Sequence, residues 1–204
     1  QTFFDYIKGG KATGMLTRRY RLTYTVFYGS NTHVTGLGNA EIYNDNIAGG
    51  GIIITPETYD KANDTDWVEN CSFSNFKING SVSGLANGLS ATKAKNVRFD
   101  NIKGTSMYWH FLDLGACKNV RVTNCDFRNS VNASIQIDSR SAVGGMGIIL
   151  SDGTLQESAY SLTNDGWNET SDLEVRGCTI IGVTSTGAGA IHLHRNYARD
   201  IRIL

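Results

Sequence analysis

The chain has 204 residues, the size of one domain, and 19 basic side chains balance 19 acidic ones, so no net field draws it to nucleic acid or an acidic membrane surface. Its 23 glycines stand against one proline, Pro56, and the remainder leans to Thr, Ser, Asn, Val and Ile, which argues against a helical fold and leaves the turns to glycine and asparagine. No apolar run approaches the roughly 20 residues of a membrane span and no signal peptide is visible; the start at Gln1 leads us to expect a processed chain or a fragment.

Taken in chain order, one short pattern returns: apolar, any, apolar, any, Asn, apolar. A loose copy stands at Val68 to Cys71, ending Asn70-Cys71, after an acidic stretch containing Asp60, Asn63, Asp64 and Asp66. That stretch lacks the spacing and the glycine of an EF-hand and reads as a solvated loop rather than a calcium site. A clear copy runs from Val97 through Phe99 and Asn101 to Ile102, and a second from Val120 through Val122 and Asn124 to Cys125, 23 residues on. A third runs from Leu173 through Val175 and Gly177 to Cys178, and Ile201-Arg-Ile203 begins another. A second short strand precedes each copy, at Gly88–Thr92, Phe111–Gly115, Ser134–Asp138 and Ala190–His194. Each coil is therefore expected to be strand, turn, strand, turn, with alternating apolar positions.

A repeat of this length with short strands and no helical period marks a β-solenoid. We expect an all-β chain, a right-handed parallel β-helix of about 6–8 coils, forming a single domain over 1–204 with an inserted loop over 139–170. One coil cannot bury its apolar side alone, whereas stacked coils pair at about 4.8 Å and enclose a continuous core. Asn70, Asn101 and Asn124 are expected to stack in a turn, where Asn tolerates left-handed backbone. Cys71, Ile102, Cys125 and Cys178 then form an inward column; the absence of any CxxC pair argues against zinc, and all four cysteines, Cys117 included, read as buried thiols. Both ends look uncapped, so further chain or neighbouring subunits are expected to cover them. Four Asn-x-Ser/Thr sequons, at Asn63, Asn79, Asn132 and Asn168, are what chance supplies in so Asn- and Thr-rich a chain.

Two stretches, Tyr20–Leu22 followed by Ser30–Ile42, and Ala133–Asp138, resemble the coils of pectate-lyase-like β-helix proteins, most of all bacteriophage tailspike and appendage domains that degrade polysaccharide. The resemblance is one of coil pattern over nearly the whole chain. It implies a carbohydrate-facing component of a virion tail or an extracellular protein, often a homotrimer, whose partner is a bacterial surface polysaccharide. The residue sets of the polygalacturonases and the calcium and arginine signature of the pectate lyases are absent, so no catalyst is carried over.

Alternation separates inward from outward residues in the second set of strands. Leu89, Leu112, Leu114, Ile135, Ile137, Ile191 and Leu193 are expected inward. One outward face then collects Asp113, Gln136, Asp138, His192 and His194, with Phe111 beside them, Trp109 just before its strand and Arg195 just after its own. Carboxylates and imidazoles suit proton transfer, and aromatics suit stacking on sugar rings. Asp113 and Asp138 lie one coil and two residues apart, about 8 Å between backbones. That falls within the roughly 6.5–9.5 Å of an inverting glycosidase, one Asp protonating the leaving oxygen while the other activates water. The competing reading is a solvated polar face, the default for outward polar residues.

His194 with Arg195 offers instead a base and a charge neutraliser for lyase chemistry. The two histidines are spread over too many coils from the aspartates for a metal, so neither metal nor other cofactor is expected. Within 139–170, Ile148–Leu150 can form a short strand, and the loop can overhang the face and bring Asp152, Glu157, Tyr160 or Trp167 to it. The function expected is glycoside hydrolysis of a polysaccharide; a glycan-binding or fibre module and a secreted lyase or epimerase remain as alternatives.

Overall fold

The computed structural model describes residues 13–44, 52–57, 67–80, 87–138, 147–149, 155–157, 170–185, 187, 189–194 and 198–204. Its strands follow one another in triplets. The first coil holds β1 (Thr13–Leu16), β2 (Arg19–Leu22) and β3 (Val26–Tyr28), and the second β4 (His33–Gly36), β5 (Glu41–Asn44) and β6 (Ile52–Pro56). The third holds β7 (Val68–Ser74), β8 (Lys77–Asn79) and β9 (Asn87–Ser90), and the fourth β10 (Ala94–Asp100), β11 (Lys103–Met107) and β12 (Leu112–Gly115). The fifth holds β13 (Lys118–Thr123), β14 (Asp126–Ser130) and β15 (Ile135–Asp138). A hairpin, β16 (Gly147–Ile149) with β17 (Leu155–Glu157), precedes the sixth coil of β18 (Thr170–Arg176), β19 (Thr179–Ile181) and β20 (Ile191–His194); β21 (Ala198–Ile203) opens a seventh.

Every third strand pairs in parallel with its counterpart one coil away, giving a first sheet β1-β4-β7-β10-β13-β18-β21, a second β2-β5-β8-β11-β14-β19 and a third β3-β6-β9-β12-β15-β20. This is a right-handed parallel β-helix. Each coil carries three strands, one more than the alternating pattern suggested. The unforeseen strand is the short one after the asparagine corner, such as Lys103–Met107, whose two inward positions are too few to show a period of two.

The corners explain the asparagines. Asn31, Asn70, Asn96 and Asn119 have φ between 52° and 60° and form one ladder. Each amide donates to the oxygen of the residue one coil earlier, at 3.4, 3.0 and 2.7 Å over separations of 39, 26 and 23 residues. A second ladder of positive-φ residues, Asn75, Asn101, Asn124 and Gly177, turns the chain from the first sheet into the second. Asn70 therefore belongs to a different column from Asn101. Cys71, which follows it, pairs with Val97 within the first sheet, and the residue truly equivalent to Ile102 and Cys125 is Phe76.

Inside the coils a continuous apolar core runs the length of the chain. The column Val34, Phe73, Phe99, Val122 and Val175 of the first sheet is buried throughout, with Phe73 and Phe99 stacked at 5.6 Å. In the second sheet the inward column reads Ile42, Ile78, Gly104, Phe127 and Ile180. Gly104 leaves a gap there: a Cβ at this position would collide with the ring of Phe111, which fills the space and stacks on Phe127 at 5.0 Å with an interplanar angle of 7°. At the far end Ile181, Leu193 and Ile203 are about half exposed.

The expected short strand of the insertion is present as β16, paired antiparallel with β17. The backbone of β16 comes within 8 Å of β6, in the third sheet. Asp152, Tyr160 and Trp167 lie outside the described residues, as do Asp60, Asn63, Asp64 and Asp66 and the side chain of Glu157.

Candidate functional site

The third sheet carries the residues singled out from the sequence. Its register is the expected one: Leu112 pairs with Ile135, Asp113 with Gln136, Leu114 with Ile137 and Gly115 with Asp138, and the same four positions of β15 pair with Ile191, His192, Leu193 and His194. Thr55 and Ser90 extend the outward column that contains Asp113, Gln136 and His192.

That face is not open to solvent. Thr55, Ser90, Asp113, Gln136 and Asp138 are all buried, Asp113 to 1% exposure and Asp138 to 5%. The sequence pattern separates the two faces of a strand but says nothing of what lies above them. Phe111, expected beside the carboxylates, sits in the core instead, because it precedes β12 at the corner and turns into the gap above Gly104. The backbone of His194 lies beside Asp138; its side chain, and Arg195 entirely, fall outside the described residues.

Burial separates the two aspartates chemically. Asp113 Oδ2 has no hydrogen-bond partner among the described residues. Desolvation, followed by the repulsion of Asp138, pushes its carboxyl up to about 8, so it holds its proton at neutral pH. Asp138 accepts a hydrogen bond on Oδ2 from Gln136 Nε2 at 3.1 Å. A buried carboxyl that keeps its proton, as Asp113 does, is suited to the role of a general acid.

Next to this pair, where the corner between the second and third sheets meets the start of the latter, lies a cleft of about 300 Å³. It is lined by Trp109, His110, Asn132, Gln136, Ser185, Gly187 and His192. Three of these, Trp109, Gln136 and His192, are expected site residues; Asp113 and Asp138 are not on its wall. The corner is held by hydrogen bonds to the neighbouring coils: His110 N donates to Asn87 Oδ1 at 2.9 Å, and His110 Nδ1 donates to the Ala133 carbonyl at 2.6 Å. A carbonyl only accepts, so the proton of the neutral ring sits on Nδ1 and Nε2 is the acceptor. Trp109 packs edge-on to Tyr108 at 5.7 Å, and its buried Nε1 has no acceptor among the described residues. The cleft thus offers an indole, two imidazoles and two side-chain amides.

No family model matches the chain, and no curated protein matches it. Solved structures do. PfbA, a surface adhesin of Streptococcus pneumoniae, superposes with a TM-score of 0.65 at 19% identity, over 96% of this chain and 49% of the adhesin. A proposed glycosyl hydrolase of Parabacteroides merdae gives 0.65 at 12% identity, over 100% of this chain and 84% of that one. ORF18 of Geobacillus virus E2 gives 0.53 at 11% identity, over 96% and 41%. The likeness is one of fold. The chain spans about half the length of the adhesin it matches, and at these identities the comparison carries no residue roles.

His110, Asn132, Ser185 and Gly187 complete the cleft without having been singled out. Ser185 and Gly187 follow a strand that carries no periodic signal, and His110 lies in a corner, where alternation does not operate. The one available sign was the run Tyr108-Trp109-His110 at the same coil position as Val131-Asn132-Ala133.

Proposed function

We propose that this chain is a glycan-recognising β-helix domain of an extracellular or virion protein, and that it hydrolyses the polysaccharide it binds. The observation that carries the recognition is the cleft itself. An indole beside Asn132, Gln136, His110 and His192 suits a pyranose ring and its hydroxyl or acylamino groups. No Lys or Arg is among its described lining residues, which favours a neutral sugar over a uronic acid. The neighbouring folds, a surface adhesin and a virus protein among them, support the extracellular or virion setting.

Hydrolysis rests on Asp113. As a protonated acid it would give its proton to the departing glycosidic oxygen, while Asp138, hydrogen-bonded to Gln136, would take one from the attacking water. The burial of both favours a second reading, a binding module without chemistry, because neither carboxyl lies on the wall of the cleft.

Oligosaccharide binding and reducing-end release, measured on a panel of bacterial surface polysaccharides, separate the two. Trp109→Ala is expected to weaken binding about tenfold without changing the melting temperature, by loss of stacking on the sugar ring. Asp113→Asn is expected to abolish release while leaving binding intact. Binding without release by the unaltered chain selects the binding module; binding that ignores Trp109 removes the cleft from the account.

A further inference from the structure

The corner column that follows the second asparagine ladder reads Phe76, Ile102, Cys125 and Cys178, so the fifth and sixth coils place two cysteines at equivalent positions. Their register is set on both sides. Thr123 pairs with Arg176 before them and Asp126 with Thr179 after them, and Thr179 N donates to the Cys125 carbonyl at 2.8 Å. Stacking at the inter-strand spacing puts the two Cα atoms about 4.8 Å apart, inside the roughly 4.4–6.8 Å that a disulfide spans. Each thiol reaches an equivalent carbonyl of the preceding coil, Cys178 Sγ that of Val122 at 3.8 Å and Cys125 Sγ that of Phe99 at 4.0 Å. Cys125 is buried, whereas Cys178 is only partly so.

We propose that Cys125 and Cys178 form an oxidisable pair, closed to an intrachain disulfide by a small-molecule disulfide such as oxidised glutathione. The Cys178 thiolate attacks one sulfur of the oxidant and releases one thiol, leaving a mixed disulfide. Cys125 then attacks the Cys178 sulfur, forms the Cys125–Cys178 bond and expels the second thiol, which takes up the Cys125 proton. Two protein thiols are oxidised and one oxidant disulfide is reduced to two thiols.

The surroundings assign the roles. Cys178 is the more exposed of the two, and the neighbouring Cys125 thiol lowers it to about 7 against a smaller opposing effect of burial, which makes it the attacking group. The neighbouring Cys178, together with burial, pushes Cys125 up. Cys71 and Cys117, in other columns, are pushed up by burial to about 11 and about 12 and have no role in the exchange.

The bond would matter because of where it falls. Equivalent positions of the fifth and sixth coils are 53 residues apart, against 23 between the fourth and fifth, so the sixth coil is tied to the stack through the longest connection of the repeat. Closing that long loop covalently is where a cross-link restricts the unfolded chain most.

The test uses the full chain, reduced and then equilibrated with oxidised glutathione at pH 8. Titratable thiols in the denatured protein should fall from four to two, and a non-reducing peptide map should join the Cys125 and Cys178 peptides. The melting temperature should rise by roughly 5–15 °C. Cys178→Ser, at a partly exposed position, should fold, keep three thiols and show no rise. Four thiols after equilibration, a stable mixed disulfide on Cys178, or a cross-link to Cys71 or Cys117 would each overturn the proposal.

Discussion

Asp113 gives the sharpest test of the candidate site, because its ionisation is tied to folding. In the folded chain its carboxyl is buried, lacks a partner on Oδ2 among the described residues and is pushed from about 3.8 to about 8, first by desolvation and then by Asp138. In the unfolded chain it ionises at the ordinary value. The folded state therefore holds a proton that the unfolded state has already released, and stability is fully present below about pH 4. It falls as pH rises through the interval, by about 1.4 kcal/mol per pH unit, and levels off above pH 8. The loss approaches about 6 kcal/mol if Asp113 alone titrates, and less if Asp138 shares the proton.

Asp113→Asn keeps the shape and stays neutral. The variant should match the unaltered chain near pH 4 and exceed it at pH 8 by several kcal/mol, a gain in melting temperature on the order of 10 °C. Thermal or urea unfolding of both proteins from pH 4 to pH 9, followed by circular dichroism, measures the two curves. Parallel curves would refute the reasoning: Asp113 would then be ionised and solvated in solution, and the acid role assigned to it would fail with it. A stabilised variant that has lost hydrolysis would show a side chain kept at a cost to folding.

Three further outcomes follow from the packing. Phe111→Ala removes the ring stacked on Phe127 and should cost about 3–5 kcal/mol in urea unfolding while leaving glycan affinity per folded molecule unchanged; a weakened affinity would return Phe111 to the binding face. Gly104→Ala puts a methyl group against that same ring and should cost about 1–3 kcal/mol, an effect that Phe111→Leu should partly relieve in the double variant. Asn101 has φ 52° and donates to Asn75 Oδ1 at 2.9 Å, so Asn101→Ala should destabilise by about 1–2 kcal/mol more than Asn101→Gly, which keeps the backbone but loses the bond. Equal losses for the two would mean that the left-handed corner carries no strain for a Cβ.

The solenoid was legible because its physics is local and repeated. The alternation of Leu112 and Leu114 or Ile135 and Ile137, met again 23 residues on, sets both the inward face and the register, and the structure pairs those residues as counted. The corner asparagines were legible for the same reason, since a left-handed residue is needed once per coil and few types tolerate it. Where one coil lost its period, the reading slipped. Asn70 was counted into the wrong ladder, and the strands after the corners, three to five residues long, left no trace.

What stands over each face, and how the corners pack, had to come from the tertiary structure. Phe111 turns inward because Gly104, seven residues earlier and in another sheet, leaves a gap its ring can fill. Asp113 and Asp138 are buried on a face that alternation could only call outward. The sequence by itself thus determined the coil, its register and the row of polar residues on one side. Only the folded chain decided that this row is dry, which moves Asp113 into the range of an acid and leaves Trp109, Gln136 and His192 as the members of the row's neighbourhood that face a cleft. The reason is one of range: side-chain alternation is a property of neighbours along a strand, whereas desolvation is set by whatever distant segment packs above it.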